Sequence, residues 1–283
     1  MPLRGEADPR ALQPGDAFGD YLIDQPLGEG GVGIVFRAVR EDGAVVALKV
    51  LKPGVVTDAT ATRRFAREAR PAAEVAHPHL IDVLDAGDVD GTAFLAMRYV
   101  AGGSLQDRIG AHGPLPVAAT ARLAAEVAAA LDALHAAGFV HRDVKPSNIL
   151  LDDARGALLT DFGLAKRKDY SMLTSPGQVL GTLDYIAPEL LRGAEPGPGT
   201  DLYALGCVVF ECLAGTPPFG GRSVFEVGMA HLGDPPPNPC HGRDDVPPAL
   251  SRHVLAALAK RPEERPASAT AYAELLIDAA RPG

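Results

Sequence analysis

One cluster of glycines, Gly28-Glu29-Gly30-Gly31-Val32-Gly33, constrains this chain more than any other feature, because the residues after it decide the fold. Glycine lets the backbone approach a phosphate closely and turn its amides toward it. In a dinucleotide-binding βαβ unit a helix starts directly after such glycines. Here the β-prone run Val35-Phe36-Arg37-Ala38-Val39 follows, and then a Glu41-Asp42-Gly43 turn. That order predicts an antiparallel hairpin closed by a glycine turn and disfavours a dinucleotide enzyme. Taken alone, the cluster is equally compatible with an ordinary glycine-rich turn.

The remaining pattern places this hairpin in an α+β chain. Val45–Leu51, Leu80–Leu84 and Ala93–Val100 read as strands, with Asp85–Gly91 as the turn between the last two. A helix is expected over 62–75. After Ala101-Gly102-Gly103-Ser104 the texture changes: an Ala-rich helix Pro116–Ala137 stopped by Gly138, an apolar helix Leu202–Ala214, a Pro-rich stretch 235–248, and helical segments Leu250–Lys260 and Ser268–Ala280. The expected organisation is a tail at 1–17, a small antiparallel-sheet lobe with one main helix at 18–101, a larger and mostly helical lobe at 102–279, and a tail at 280–283. No internal repeat interrupts it.

Composition narrows the function classes. Apolar residues make up 47% of the 283, enough for a sizeable interior. The net charge of −9 lacks the basic footprint of a nucleic-acid binder and argues against an anionic membrane surface as partner. Cys207, Cys212 and Cys240 show no paired CxxC spacing, so reduced thiols in a cytoplasmic setting read better than zinc or a disulfide framework. Met1–Arg10 has no apolar core of a signal peptide, and Leu202–Leu213 is too short to span a bilayer.

Chemistry concentrates in three places. Lys49 ends the apolar run Val46-Ala47-Leu48-Lys49, where an ammonium against a buried face needs an anion: a phosphate oxygen, a carboxylate such as Glu68, or both. A solvated strand-end lysine is the plainer alternative. The segment His141-Arg142-Asp143-Val144-Lys145-Pro146-Ser147-Asn148 packs an acid/base candidate, two cations and an oxygen ligand into one loop. Asp161-Phe162-Gly163 then follows an apolar run, and Asp161 with Asn148 supplies hard oxygen donors suited to Mg²⁺ between phosphates. His77-Pro78-His79 reads as a strand-entry turn, since a metal pair would lack a third ligand.

On these motifs, joined by Ala187-Pro188-Glu189, the chain resembles a Hanks-type protein kinase of the bacterial, eukaryotic-like serine/threonine group, over about residues 18–279. The resemblance implies the bilobal kinase fold, ATP with Mg²⁺ (Mn²⁺ as the alternative), and serine or threonine hydroxyls of proteins as acceptors. It implies that Gly28, Glu29, Gly30, Gly31, Val32 and Gly33 cover the triphosphate, with Leu27, Val35 and Ala47 over the adenine. Lys49 holds the α- and β-phosphates and pairs with Glu68. Met97 is the gatekeeper, the Arg98 carbonyl and Val100 amide meet the adenine edge, and Leu150 closes the pocket. Asp143 accepts the hydroxyl proton, Lys145 neutralises the transferring phosphoryl group, and Asn148 and Asp161 hold the metal. Lys145, two after Asp143, and Thr182 in Gly181-Thr182 favour serine/threonine over tyrosine.

The same resemblance marks Thr174 and Ser175 as autophosphorylation positions whose phosphate Arg142 would pair with. It makes Asp201 the anchor of the catalytic loop and Glu189–Arg265 a buried ion pair. A homodimer for trans-autophosphorylation rests on family analogy alone. Pro71, three residues after Glu68, should kink the helix expected there, and Ala72 stands where a bulkier apolar residue is usual. A pseudokinase scaffold is the main rival, although the lysine, aspartate and metal ligands are all present. Small-molecule phosphotransferases of related fold lack the Ala187-Pro188-Glu189 segment. The chain reads either as a short soluble kinase or as the cytosolic domain of a membrane kinase.

Overall fold

The computed structural model of the chain describes residues 8–52, 75–161 and 183–281. They fall into two compact units, Met1–Ala76 with Ile81–Ala101, and His77–Leu80 with Gly102–Gly283.

The first unit is built on a six-stranded antiparallel sheet. Its strands are β1 (Ala17–Phe18), β2 (Tyr21–Glu29), β3 (Gly33–Arg40), β4 (Val45–Leu51), β5 (Val83–Val89) and β6 (Thr92–Arg98), in the order β1-β2-β3-β4-β6-β5. Side chains alternate between faces of a strand. Ile34, Phe36 and Ala38 from β3 therefore join Val46, Leu48 and Val50 from β4 in one core cluster, with Phe18, Tyr21, Ile23, Phe94 and Ala96. Phe94 meets Phe18 and Tyr21 edge-on, at 5.9 and 5.4 Å between ring centres. β4 lies inside the sheet and is buried on both faces from Val46 to Leu51, which accounts for its unbroken apolar run. Pro26 sits in β2 at a register shift, where its missing N–H is tolerated.

Three sequence expectations are revised or left aside here. Asp85–Val89 is strand rather than turn, and the reversal is confined to Asp90 and Gly91, both at positive φ (49° and 85°). β5 is an edge strand with Leu84, Asp85 and Asp88 exposed, so it lacks the apolar alternation that marks a half-buried strand. Within the stretch read as a tail, Pro9–Ala11 forms a 3₁₀ turn capped by Asp8, and Leu12 packs against the core cluster. The helix expected over 62–75, with Glu68, Pro71 and Ala72, lies outside the described residues.

The second unit is mainly helical: α1 (Leu105–His112), α2 (Val117–Ala136), α3 (Pro188–Leu191), α4 (Pro198–Ala214), α5 (Val224–Gly233), α6 (Pro248–Ala257) and α7 (Ala269–Ala279), with one hairpin of β7 (Ile149–Asp152) and β8 (Gly156–Leu159). α1 was not legible as an apolar stripe; it starts on a reciprocal capping box between Ser104 and Asp107. In α2, Leu123, Val127, Leu131 and Leu134 follow helical spacing and are buried. Every residue of α4 from Thr200 to Leu213 is buried, so this is the central helix of the unit. It begins four residues earlier than the sequence pattern suggested, because Pro198 occupies the first turn, where its missing N–H costs nothing. Asp132 on α2 accepts from the amides of Ala269 and Thr270 and so fixes the start of α7. The α+β class expected from the sequence is the class observed.

Candidate active site

In the first unit the glycine cluster forms the end of β2, a turn, and the start of β3. The Gly30 amide donates to the Gly33 carbonyl at 2.8 Å and closes the turn. The glycines differ in what demands them. A Cβ on Gly33 would lie 2.4 Å from the Val50 carbonyl oxygen, so this position must be glycine for β3 to pack on β4. Gly28 and Gly31 face open space, and nothing in the fold itself requires them. Val35 is the register partner of Lys49, and Ala47 that of Met97. Lys49 is 7% exposed, on the face of β4 opposite the Val46–Leu48–Val50 row. Leu27 is exposed, whereas Ala47, Met97 and Val100 are buried, and the Arg98 amide donates to the Asp82 carbonyl at 2.9 Å.

The second unit carries the loop His141–Asn148. Lys145 Nζ lies 2.9 Å from Asp143 Oδ2. Asn148 Nδ2 donates to the Asp143 carbonyl (2.8 Å) and to its Oδ2 (3.1 Å). With its nitrogen so committed, Asn148 presents Oδ1 as the atom that can take a cation. The structure thus brings Asp143, Lys145 and Asn148 together around one carboxylate. Leu150 is half-buried on β7. Gly102 packs so closely on this strand that a Cβ would meet the Leu151 carbonyl oxygen at 2.0 Å. Phe162, Gly163, Thr174, Ser175, Gly181 and Thr182 lie outside the described residues, as does Glu68.

The loop is held from beneath. Asp201, in the first turn of α4, accepts from the amides of His141 and Arg142 at 2.8 Å each, and from His135 Nε2 at 2.8 Å. This is the anchoring expected of Asp201. Arg142 takes φ 70°, a conformation that costs a non-glycine residue energy and persists only when its surroundings enforce it. Asp161 has φ 66° as well.

Sequence reasoning passed over His141, whose role follows from its partners. Nε2 faces the Thr160 carbonyl at 2.9 Å, which can only accept, so Nε2 carries the proton. Nδ1 is then able to accept from the Asp143 amide at 3.2 Å. One imidazole therefore spaces Asp143 from the residue preceding Asp161. The Thr160 amide in turn donates to the Asn148 carbonyl at 2.9 Å.

Glu189 and Arg265 form the expected buried pair. Arg265 donates to both carboxylate oxygens at 2.8 Å, and also to the carbonyls of Gly199 and Ala259. Its guanidinium stacks over Tyr203 at 4.8 Å. Burial alone would raise the Glu189 carboxyl, but the Arg265 bonds and charge outweigh it and hold the group below the usual carboxylate range. Glu211 is the opposite case. Burial pushes it up, against a 2.6 Å bond from the Tyr185 hydroxyl.

The metal expectation fits this donor set. Among the described residues no cluster of three His, Cys, Asp or Glu side chains makes a closed metal cage. Mg²⁺ prefers one or two protein oxygens completed by phosphate oxygens and water, which is what an amide oxygen and a carboxylate at Asn148 and Asp161 offer. No helix among the described residues is long and apolar enough to cross a membrane.

Comparison with known proteins defines the class. The protein kinase domain model matches residues 21–274, so the chain belongs to the protein kinase domain family. It is 42% identical over 255 residues to the serine/threonine-protein kinase PknD of Mycobacterium tuberculosis, covering 89% of this chain and 38% of that protein. It is 40% identical over 264 residues to the serine/threonine-protein kinase pkn3 of Myxococcus xanthus, covering 89% and 48% respectively. The chain thus spans less than half the length of these curated relatives. The crystal structure of a mutant of the Mycobacterium tuberculosis PknI kinase domain superposes with a TM-score of 0.76 at 32% identity, covering 96% of this chain and 100% of that one. Rad53 residues 1–466 in complex with AMP-PNP gives 0.76 at 26% identity, covering 91% and 65%. These relatives place the chain with the bacterial Hanks-type serine/threonine kinases.

Proposed function

We propose that this chain transfers the γ-phosphoryl group of ATP, as its Mg²⁺ complex, to serine or threonine hydroxyls of proteins. The observation that carries the reading is the Asp143–Lys145–Asn148 constellation: a carboxylate within 2.9 Å of an ammonium and 3.1 Å of an amide, on a loop fixed by Asp201.

The chemistry follows from the charge that develops. Phosphoryl transfer passes through a loose, highly charged transition state, so positioning and neutralisation supply most of the acceleration. Asp143 Oδ accepts the proton of the incoming hydroxyl and aligns it with the γ-phosphorus. Lys145 neutralises the equatorial oxygens. Asn148 Oδ1 and the Asp161 carboxylate hold Mg²⁺, which when bound screens the charge of the phosphates. In the first unit Lys49 grips the α- and β-phosphates, with Glu68 as its carboxylate partner. The glycine turn Gly28–Gly33 covers the triphosphate, and Leu27, Val35, Ala47, Met97, Arg98 and Val100 receive the adenine. Thr174 and Ser175 are the autophosphorylation positions, by analogy with the family, and a homodimer would serve that reaction in trans. We place the chain in the cytosol, a reading supported by its three free thiols.

The test is transfer of label from γ-labelled ATP to a generic protein substrate, followed by phosphoamino-acid analysis. Phosphoserine or phosphothreonine is expected, and Asp143→Asn should lower kcat about 10²–10⁴-fold. Near-normal turnover in Asp143→Asn would refute the assignment of the base.

A further inference from the structure

Lys52, one residue past the end of β4, is not a member of the set just described, yet three bonds tie it to the glycine turn. Its Nζ donates to the Gly30 carbonyl at 2.8 Å and lies 2.5 Å from Glu29 Oε1. Its amide donates to the Val32 carbonyl at 3.0 Å. The Lys52 side chain is 13% exposed, so this is a covered contact rather than a loose surface pair. Arg10 adds a second, more distant cation at 3.9 Å from the same Glu29 oxygen. The bond and charge of Lys52 hold the Glu29 carboxyl below its ordinary range.

The direction of these bonds matters more than their number. Val46, Leu48 and Val50 point into the core cluster, and Lys52 continues that row by the two-residue period of a strand. Lys49 belongs to the other row. The Gly30 carbonyl is therefore drawn toward the core-side row of β4. In a planar trans peptide the C=O and the following N–H point in opposite directions. Holding the Gly30 carbonyl on one face aims the Gly31 amide toward the other, the face of Lys49.

We propose that Lys52 is a positioning residue for the nucleotide: it latches Glu29 and the Gly30 carbonyl on one side of the sheet so that the Gly31 amide is presented to phosphate on the other. The inference rests on the reading of this chain as an ATP-dependent kinase. A turn of glycines has many accessible conformations, and only the fraction with its amides facing the ligand is competent to bind. Apparent affinity scales with that fraction, so loss of the latch should appear in nucleotide binding and not in the chemical step.

Calorimetric titration of Mg·ATP and Mg·ADP, with steady-state kinetics alongside, separates the possibilities. Lys52→Met should weaken both nucleotides and raise the ATP KM, each about five- to twenty-fold, with kcat within about twofold and Tm little changed. Lys52→Arg should restore most of the affinity. Glu29→Ala decides between a latch and a plain electrostatic effect. Removing a negative charge beside a polyanion should tighten binding if only the field matters. The latch requires that Glu29→Ala weaken binding in the parent chain and have no further effect in Lys52→Met. Unchanged KM in Lys52→Met, or tighter binding in Glu29→Ala, would overturn the latch while leaving the kinase reading intact. A parent chain that binds no Mg·ATP would overturn both.

Discussion

Removing the guanidinium of Arg265 should unfold the second unit far more easily than removing both members of its ion pair. The Arg265 side chain is fully buried and that of Glu189 is 11% exposed. In Arg265→Met, Glu189 loses both guanidinium bonds and keeps the 3.2 Å bond from the Thr200 hydroxyl and one from its own backbone amide, and the carbonyls of Gly199 and Ala259 lose the Arg265 donor. A buried charge stripped of its partner costs about 3–5 kcal/mol. At about 2–4 °C per kcal/mol for a unit of this size, the expected fall in Tm is about 6–20 °C. Glu189→Gln with Arg265→Met leaves no charge behind and should recover a large part of that loss. The chain has no tryptophan, so calorimetry and far-UV circular dichroism are the suitable probes. The pH dependence has a fixed sign. Glu189 is held below the usual range in the folded state, so its contribution is present above the unfolded carboxyl value of about 4.3 and is lost as pH falls through the folded value. The difference between parent and Arg265→Met should therefore shrink in acid. Equal Tm values at pH 7, or single effects that simply add in the double variant, would refute the argument.

Two further outcomes follow from particular positions. Gly33→Ala forces a Cβ against the Val50 carbonyl and should lower Tm in calorimetry by several degrees, whereas Gly28→Ala, facing open space, should leave Tm within about a degree. Glu211 is raised by burial, so between its unfolded and folded values the native state binds the extra proton and stability declines as pH rises. Glu211→Gln keeps an acceptor for the Tyr185 hydroxyl and sheds the buried charge; its Tm should exceed the parent's by about 2–4 °C at pH 8, and the gap should close toward pH 5.

How much of this was legible before the structure depends on how far apart in the chain the interacting groups lie. Asp143, Lys145 and Asn148 share one short loop, so their residue types alone suggest a site. The bonds from Asp201 to His141 and Arg142 cross 60 and 59 residues, and only the resemblance to kinases pointed to them. The Lys52–Gly30 contact depends on the register of β3 against β4, which no local pattern reveals. The proton position on His141 needs the Thr160 carbonyl, 19 residues away. Among the elements, β4 announced itself by its unbroken apolar run and α2 by its Ala-rich stretch ending at Gly138. β5 did not, because Leu84, Asp85 and Asp88 are exposed and Ala86 is its one buried residue.

Those same acids have a consequence for how the chain behaves in company. A bare outermost strand offers unpaired amides and carbonyls to any passing polypeptide, and aspartates spaced along it make such an approach electrostatically unwelcome. Asp85 and Asp88, both exposed, and Asp90 at the reversal line the rim of this sheet. The acids that disguised the strand are of the kind that disfavours its pairing with a second chain.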